Sequence, residues 1–269
     1  MATFTARLLE GKTAFIAGGS SGINLGIARG LAEAGASVAL ISRRIEKVEA
    51  AVAELRADGY DAMGFAADVR DYPAVEQALR EVSDAKGPID IVVSGAAGNF
   101  LAPAIGMSPN AFKTVIDIDL MGTFHVLRAS YQFLRKPGAS VISITAGQAV
   151  NPTMFQSHAC AAKAGINMLT RCLAMEWGAA GVRVNAISPG PIRDTEGMAR
   201  LAPTPEAEAA VKRLVPLGDY GEKRDIADLA VFLCSDSARY ITGAILDCDG
   251  GFSLAGGGGL PSAEAPGRA

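Results

Sequence analysis

The segment Gly18-Gly19-Ser20-Ser21-Gly22-Ile23-Asn24-Leu25-Gly26 has the composition of a turn that meets an anion. It follows an apolar run, Thr13–Ala17, and opens a helical stretch. Glycines let the backbone turn tightly and approach a pyrophosphate, and the free N–H groups at the start of the helix then face the negative charge. A glycine-rich stretch in isolation is equally a plain tight turn. Its place between the first strand and the first helix selects the dinucleotide reading, with Gly18, Ser20, Ser21, Gly22 and Ile23 as contact residues.

Three later strand ends extend that reading. The second apolar run stops at Ser42-Arg43-Arg44. An NAD site usually carries an acid here to accept from the adenosine ribose; a small Ser followed by Arg removes that acid and offers a guanidinium to a 2′-phosphate. Ser42 and Arg43 therefore point to NADP(H), the alternative being that both arginines are solvated residues at a helix start. Asp68-Val69 follows the third run, where the carboxylate either accepts from an adenine amino group or caps the next helix. The fourth run ends in Ser94-Gly95-Ala96-Ala97-Gly98-Asn99-Phe100, and Ala96, Ala97 and Gly98 leave room for a cofactor at the edge of a sheet.

The elements that must hold these turns alternate along the chain. Strands are predicted at Thr13–Ala17, Ser37–Ile41, Ala62–Ala66, Ile89–Ser94, Ser140–Thr145, Val182–Ile187 and Ala244–Leu246. Helices are predicted at Gly22–Ala34, Ile45–Ala57, Pro73–Ala85, Pro109–Phe133, Cys160–Trp177 and Arg224–Leu233. Near-continuous apolar strands alternating with helices imply a parallel sheet covered on both faces. Right-handed crossovers make this an α/β fold: a single Rossmann-type, doubly wound parallel sheet with helices on both faces. No interdomain linker is visible, so residues 1–254 read as one nucleotide-binding domain. Residues 193–218, rich in Pro, Ala and charge, interrupt the alternation and read as a lid over the ligand. Residues 255–269, with the Gly256–Gly259 run, read as a flexible tail.

Composition bounds the function. The chain has 269 residues, 49% hydrophobic and 20% charged, with a net charge of −3. That balance gives no electrostatic reason to expect nucleic acid or an anionic membrane as partner. No apolar run has the length of a membrane span, and Met1–Gly11 lacks a basic segment followed by an apolar core. The four cysteines, Cys160, Cys172, Cys234 and Cys248, show no metal-ligand spacing and no disulfide framework, so no metal is expected and reduced thiols in the cytoplasm are the plain reading. Pro266–Ala269 does not form a peroxisomal tripeptide.

Taken with Lys163 on its helix, Arg183-Val184-Asn185-Ala186-Ile187-Ser188-Pro189-Gly190 and Thr242-Gly243…Asp249-Gly250-Gly251, these motifs resemble the short-chain dehydrogenase/reductase family over nearly the whole chain. The resemblance implies that Lys163 contacts the cofactor and that Pro189, Gly190 and Ile192 hold the nicotinamide carboxamide through backbone groups. It also implies a homotetramer formed through the helices around Pro109–Leu134 and Cys160–Trp177. The family's usual active-site Asn, Ser, Tyr and Lys fall on Asp119, Ala146, Ala159 and Lys163. A carbonyl reductase needs a hydroxyl to protonate a developing alkoxide, and Ala159 cannot supply one. Two further departures stand in the glycine turn: Asn24 replaces the family's third glycine, and Ala17 replaces the threonine that often precedes it.

A subgroup resembles the chain more closely. Ala96-Ala97-Gly98-Asn99-Phe100-Leu101, Asn110-Ala111-Phe112-Lys113-Thr114-Val115, Asp117-Ile118-Asp119, His158-Ala159…Ala162-Lys163-Ala164, Ala174-Met175-Glu176-Trp177-Gly178 and Pro189-Gly190-Pro191-Ile192…Thr195-Glu196-Gly197 are similar to the 2,4-dienoyl-CoA reductases, most of all the peroxisomal type. The mitochondrial type carries a tyrosine where this chain has Gln148; the peroxisomal type relies on an Asp and a Lys, which match Asp119 and Lys163. The implied reaction is NADPH-dependent reduction of a 2,4-dienoyl-CoA to a 3-enoyl-CoA in fatty-acid degradation. No alkoxide forms in such chemistry; the thioester oxygen needs hydrogen-bond stabilisation and a carbon takes the proton. Asp119 is then expected to hold a proton-delivering water. Asn99 is a candidate donor to the thioester oxygen, Phe100 and Met154 candidate pocket walls, and Arg193 either a partner for a CoA phosphate or a solvated cation. Thr145 either contacts the bound molecules or terminates its strand, and Ser157 leaves the same alternatives open. His158 reads as a proton-transfer group or as a buried structural histidine. Rival readings are a 3-oxoacyl-thioester reductase of the same family using Thr145 or Ser157, and a catalytically silent NADP-binding protein.

Overall fold

The computed structural model describes residues 7–255. Seven strands form one parallel sheet in the order β3-β2-β1-β4-β5-β6-β7. They are β1 (Thr13–Ala17), β2 (Ser37–Ser42), β3 (Ala62–Ala66), β4 (Ile91–Ser94), β5 (Ser140–Ile144), β6 (Arg183–Pro189) and β7 (Ile245–Cys248). The strand order reverses between β1 and β4, which puts the crevice for a ligand at their carboxyl ends.

Successive residues of each central strand serve opposite faces. Ala14, Ile16, Leu40, Ile91, Val93 and Ile142 pack with α1 (Gly22–Glu33), α2 (Ile45–Ala57) and α9 (Lys223–Cys234). Phe15, Ala17, Ile41, Val92, Val141 and Val184 pack with α3 (Tyr72–Lys86), α5 (Gly122–Ser130) and α6 (Ser157–Trp177). Burial on both sides explains why these strands carry unbroken apolar runs instead of alternation.

The predicted elements are present, with instructive differences at their ends. β4 starts at Ile91 because Asp90 turns its carboxylate to accept from the Thr13 amide at 2.9 Å, and Ile89 keeps an isolated bridge to Leu134. The single helix expected over Pro109–Phe133 is instead α4 (Pro109–Val115), a π-helical turn at Ile116–Met121, and α5. The segment 193–218, expected to interrupt the alternation, contains α7 (Glu196–Leu201) and α8 (Pro205–Leu214), each capped by a threonine hydroxyl, Thr195 and Thr204. The tail expected over 255–269 lies, beyond Ala255, outside the described residues, as does the start of Met1–Gly11. Among the described residues no helix is long and apolar enough to cross a membrane, and no group of His, Cys, Asp or Glu is placed to hold a metal ion.

Candidate active site

A cleft of about 470 Å³ runs along the carboxyl edge of the sheet and crosses the switch point between β1 and β4. At one end its wall is backbone. Gly18 and Gly22 adopt φ of 77° and 60°, angles that side chains rarely allow, and a Cβ on Gly18 would meet Ala96 at 2.9 Å. Several later helices are capped by a side chain, as Asp71 caps α3 and Ser108 caps α4. The helices that begin at the cleft, α1 after Ser21 and α2 after Arg44, have no side-chain cap, so their first-turn amides remain available. This cradle of uncapped amides and glycines fits a dinucleotide pyrophosphate.

Of the residues expected to hold the cofactor, Gly18, Ser20, Ser21, Gly22, Ile23, Ser42, Arg43, Asp68, Val69, Ala96, Ala97, Thr145, Lys163, Pro189, Gly190 and Ile192 all line the cleft. Arg44 and Lys47 join Arg43 there and give the β2 end three cations. Lys47, a few residues into α2, was not singled out by the sequence. Asp68 lines the wall, but its carboxylate accepts three hydrogen bonds from the Arg70 side chain at 2.6–3.1 Å, and that guanidinium holds it below the ordinary carboxylate range. It does not cap the next helix, a task taken by Asp71.

At the other end the wall depends on side chains. Lys163, 8% exposed on α6, sends its Nζ toward the end of β5, where it donates to the Ile144 carbonyl at 3.2 Å. The same ammonium lies 3.3 Å from Oδ2 of Asp119. The π-helical turn explains this meeting: it turns Asp119 inward to 1% exposure, while Asp117, two residues earlier, stays near the surface and pairs with Lys113. Oδ1 of Asp119 accepts from the Gly98 amide at 2.8 Å. A carboxylate this deeply buried needs such partners. Gly98 is thus tied to Asp119 and is not itself part of the cleft wall. Asp119 likewise stands behind Lys163, whose ammonium it contacts, and is not itself part of the cleft wall. The Thr145 hydroxyl donates to the Lys163 carbonyl at 3.4 Å.

Ala146 lines the cleft, Ala159 is buried, and none of the chain's five tyrosines reaches the wall. Gln148, at the position of the mitochondrial-type tyrosine, does line it. The expected substrate residues are distributed less simply. Asn99 donates its amide to Oε1 of buried Gln156 at 2.6 Å, a partner that the sequence did not single out. Phe100 stacks on the His158 ring with centroids 4.3 Å apart. His158 is fully buried, and burial pushes its pKa down against the opposing influence of the Phe100 backbone and the Asp119 charge. Ser157 is exposed at the start of α6 and lies outside the cleft wall. Arg193 also lies outside it, with its guanidinium paired to Glu222 at 2.8 Å and Asp219 at 3.0 Å.

Comparison with known proteins places the whole domain among relatives of one family. Residues 17–253 match the family described as enoyl-(acyl carrier protein) reductase. A peroxisomal 2,4-dienoyl-CoA reductase, (3E)-enoyl-CoA-producing, from Rattus norvegicus is 43% identical over 92% of this chain and 86% of its own length. The protein of the same name from Arabidopsis thaliana is 40% identical over 93% of this chain and 87% of its own. The crystal structure of a gluconate 5-dehydrogenase from Burkholderia cenocepacia J2315 in complex with NADP and tartrate superposes with a TM-score of 0.87 at 29% identity, covering 93% of this chain and 98% of that one.

Proposed function

We propose that this chain, which belongs to the short-chain dehydrogenase/reductase family and is an oxidoreductase, reduces 2,4-dienoyl-CoA thioesters to 3-enoyl-CoA with NADPH. The observation that carries this reading is a buried Asp119–Lys163 pair at the reacting end of a cleft that no tyrosine lines. NADPH supplies the hydride when bound. Addition at the far carbon of a conjugated dienoyl group moves charge onto the thioester oxygen, and the carbon beside the thioester then takes a proton, leaving the double bond between them. A phenol is dispensable in such chemistry because no alkoxide has to be protonated.

The chain's own residues supply position and charge. Lys163, fixed by Asp119 and by the Ile144 carbonyl, presents a cation that cannot swing away. It stabilises charge building at the thioester and holds the water that returns the proton. Asp119 acts on the reaction by fixing Lys163. Arg43, Arg44 and Lys47 support a preference for the 2′-phosphate of NADPH. Exposed Phe112, Met121 and Phe124 on one helical segment, with Met168 and Met175 on α6, support the homotetramer. The four cysteines are unpaired, which suits the cytoplasm.

An NADPH-oxidation assay over dienoyl-, enoyl- and 3-oxoacyl-CoA esters tests the reading. Turnover is expected on dienoyl-CoA, with a 3-enoyl-CoA product. An alcohol formed from the 3-oxoacyl ester, or NADPH binding with no turnover on any ester, overturns it.

A further inference from the structure

Asn24 stands where the glycine turn would carry its third glycine, and nothing in the proposed chemistry uses it. It lies in the first turn of α1, against the ends of β1 and β4. β1 and β4 are parallel neighbours with Ala17 opposite Ser94, and their last shared hydrogen bond runs from the Gly95 amide to the Ala17 carbonyl at 3.2 Å. Just beyond, the strand order reverses and a crevice opens. The Asn24 side chain, 8% exposed, fills the floor of that crevice. Its Nδ2 donates to the Gly95 carbonyl at 2.8 Å and to the Gly18 carbonyl at 3.3 Å, one on each side of the gap. Oδ1 has no hydrogen-bond partner. Exchanging the amide's oxygen and nitrogen would set an acceptor against two carbonyls, so the orientation with Nδ2 inward is the one that binds.

The space is shared with a second residue. A Cβ on Gly95 would stand 2.6 Å from Cγ and Nδ2 of Asn24, and closer still to Oδ1. A Cβ on Gly18 would lie 3.0 Å from Nδ2. Asn24 therefore occupies the volume that a side chain at position 95 would take.

We propose that Asn24 and Gly95 form one coupled unit, a clasp across the switch point in which Asn24 is a positioning residue for the nucleotide: it sets the spacing between the phosphate-binding turn and the Gly95–Ala97 wall. This inference rests on the nucleotide assignment of the cleft and not on the identity of the acyl substrate. A primary amide is the side chain suited to the task, since its two N–H groups reach both carbonyls while a hydroxyl reaches one.

The test is a double-mutant cycle on the full chain, read by fluorescence titration of NADPH without acyl-CoA and by thermal unfolding. Gly95→Ala alone is expected to weaken NADPH binding about tenfold, because its methyl group collides with the Asn24 amide. Asn24→Asp keeps the shape, loses both donors and adds a charge beside the phosphate turn; it too is expected to weaken binding about tenfold. Asn24→Gly frees the crevice, and in that background Gly95→Ala is expected to change binding by less than about twofold. Equal penalties for Gly95→Ala in both backgrounds overturn the coupling. Wild-type NADPH affinity in Asn24→Asp and Asn24→Gly, whatever their melting temperatures, overturns the positioning role and leaves a purely structural contact. A wild-type chain that binds neither NADPH nor NADH removes the nucleotide assignment itself, and the inference with it.

Discussion

At the nucleotide end of the cleft, the wall comes from short contiguous turns, Gly18–Asn24 and Ser42–Lys47. At the reacting end, Asp119 and Thr145 arrive from separate elements and both meet Lys163, Asp119 at its ammonium and Thr145 at its carbonyl. The first end works through main-chain amides, which any sequence with the right backbone angles presents, together with the three cations after β2. The second works through a buried charge pair, whose members are costly to bury singly and are held by each other, by the Gly98 amide and by the Ile144 carbonyl. Damage should therefore be graded at the nucleotide end and steep at the reacting end.

The steepest loss is expected from Lys163→Met. It removes the cation from the wall and leaves Asp119 buried without its counter-charge, so kcat/KM on dienoyl-CoA should fall about a thousandfold. A loss under about tenfold would place the chemistry elsewhere in the cleft. Asp119→Asn keeps the shape but frees Lys163 from its partner. We expect kcat to fall about a hundredfold while the NADPH dissociation constant moves less than threefold, since the nucleotide wall is untouched. An equal change in both would erase the division between the two ends. Arg43→Ala should weaken NADPH about tenfold and leave NADH unchanged, the graded response expected where three cations share one phosphate. The smallest effect concerns His158. Burial lowers its pKa, so the folded chain keeps it neutral where the unfolded chain, with an ordinary value of 6.5, takes up a proton. Its stability contribution is complete above that value and is lost as pH falls below it. Urea unfolding at descending pH should show a shallower acid loss in His158→Leu than in the wild type. An identical loss in both would show that the ring is not neutral in the fold.

The same division governs what could be read before folding. The strand Thr13–Ala17 and the helix Ile45–Ala57 match their predicted ends, because an apolar run and a helical period are local. The glycine turn and the Ser42-Arg43 end were legible for the same reason. The π-helical turn at Ile116–Met121 was not: its residues read as ordinary helix, and the turn packs against α6 with Asp119 buried. Arg193 read as a partner for a CoA phosphate or as a solvated cation; Asp219 and Glu222, distant in the chain, pair with it. Ser157 sat beside a promising histidine in the chain, yet helix geometry sends the two to opposite environments, one exposed and one fully buried. The partnership of Asn24 with Gly95 was also invisible, although each residue was in plain view.

The amino-acid order alone fixed the parallel α/β scaffold, the dinucleotide turn, the loss of the phenol at position 159 and the survival of Lys163, since each depends on residue type and short-range spacing. Folding decided which carboxylate meets that lysine, which acids pair with Arg193, and what fills the gap between β1 and β4. Those outcomes turn on distances between segments far apart in the chain, and such distances are set only when the sheet brings the segments together.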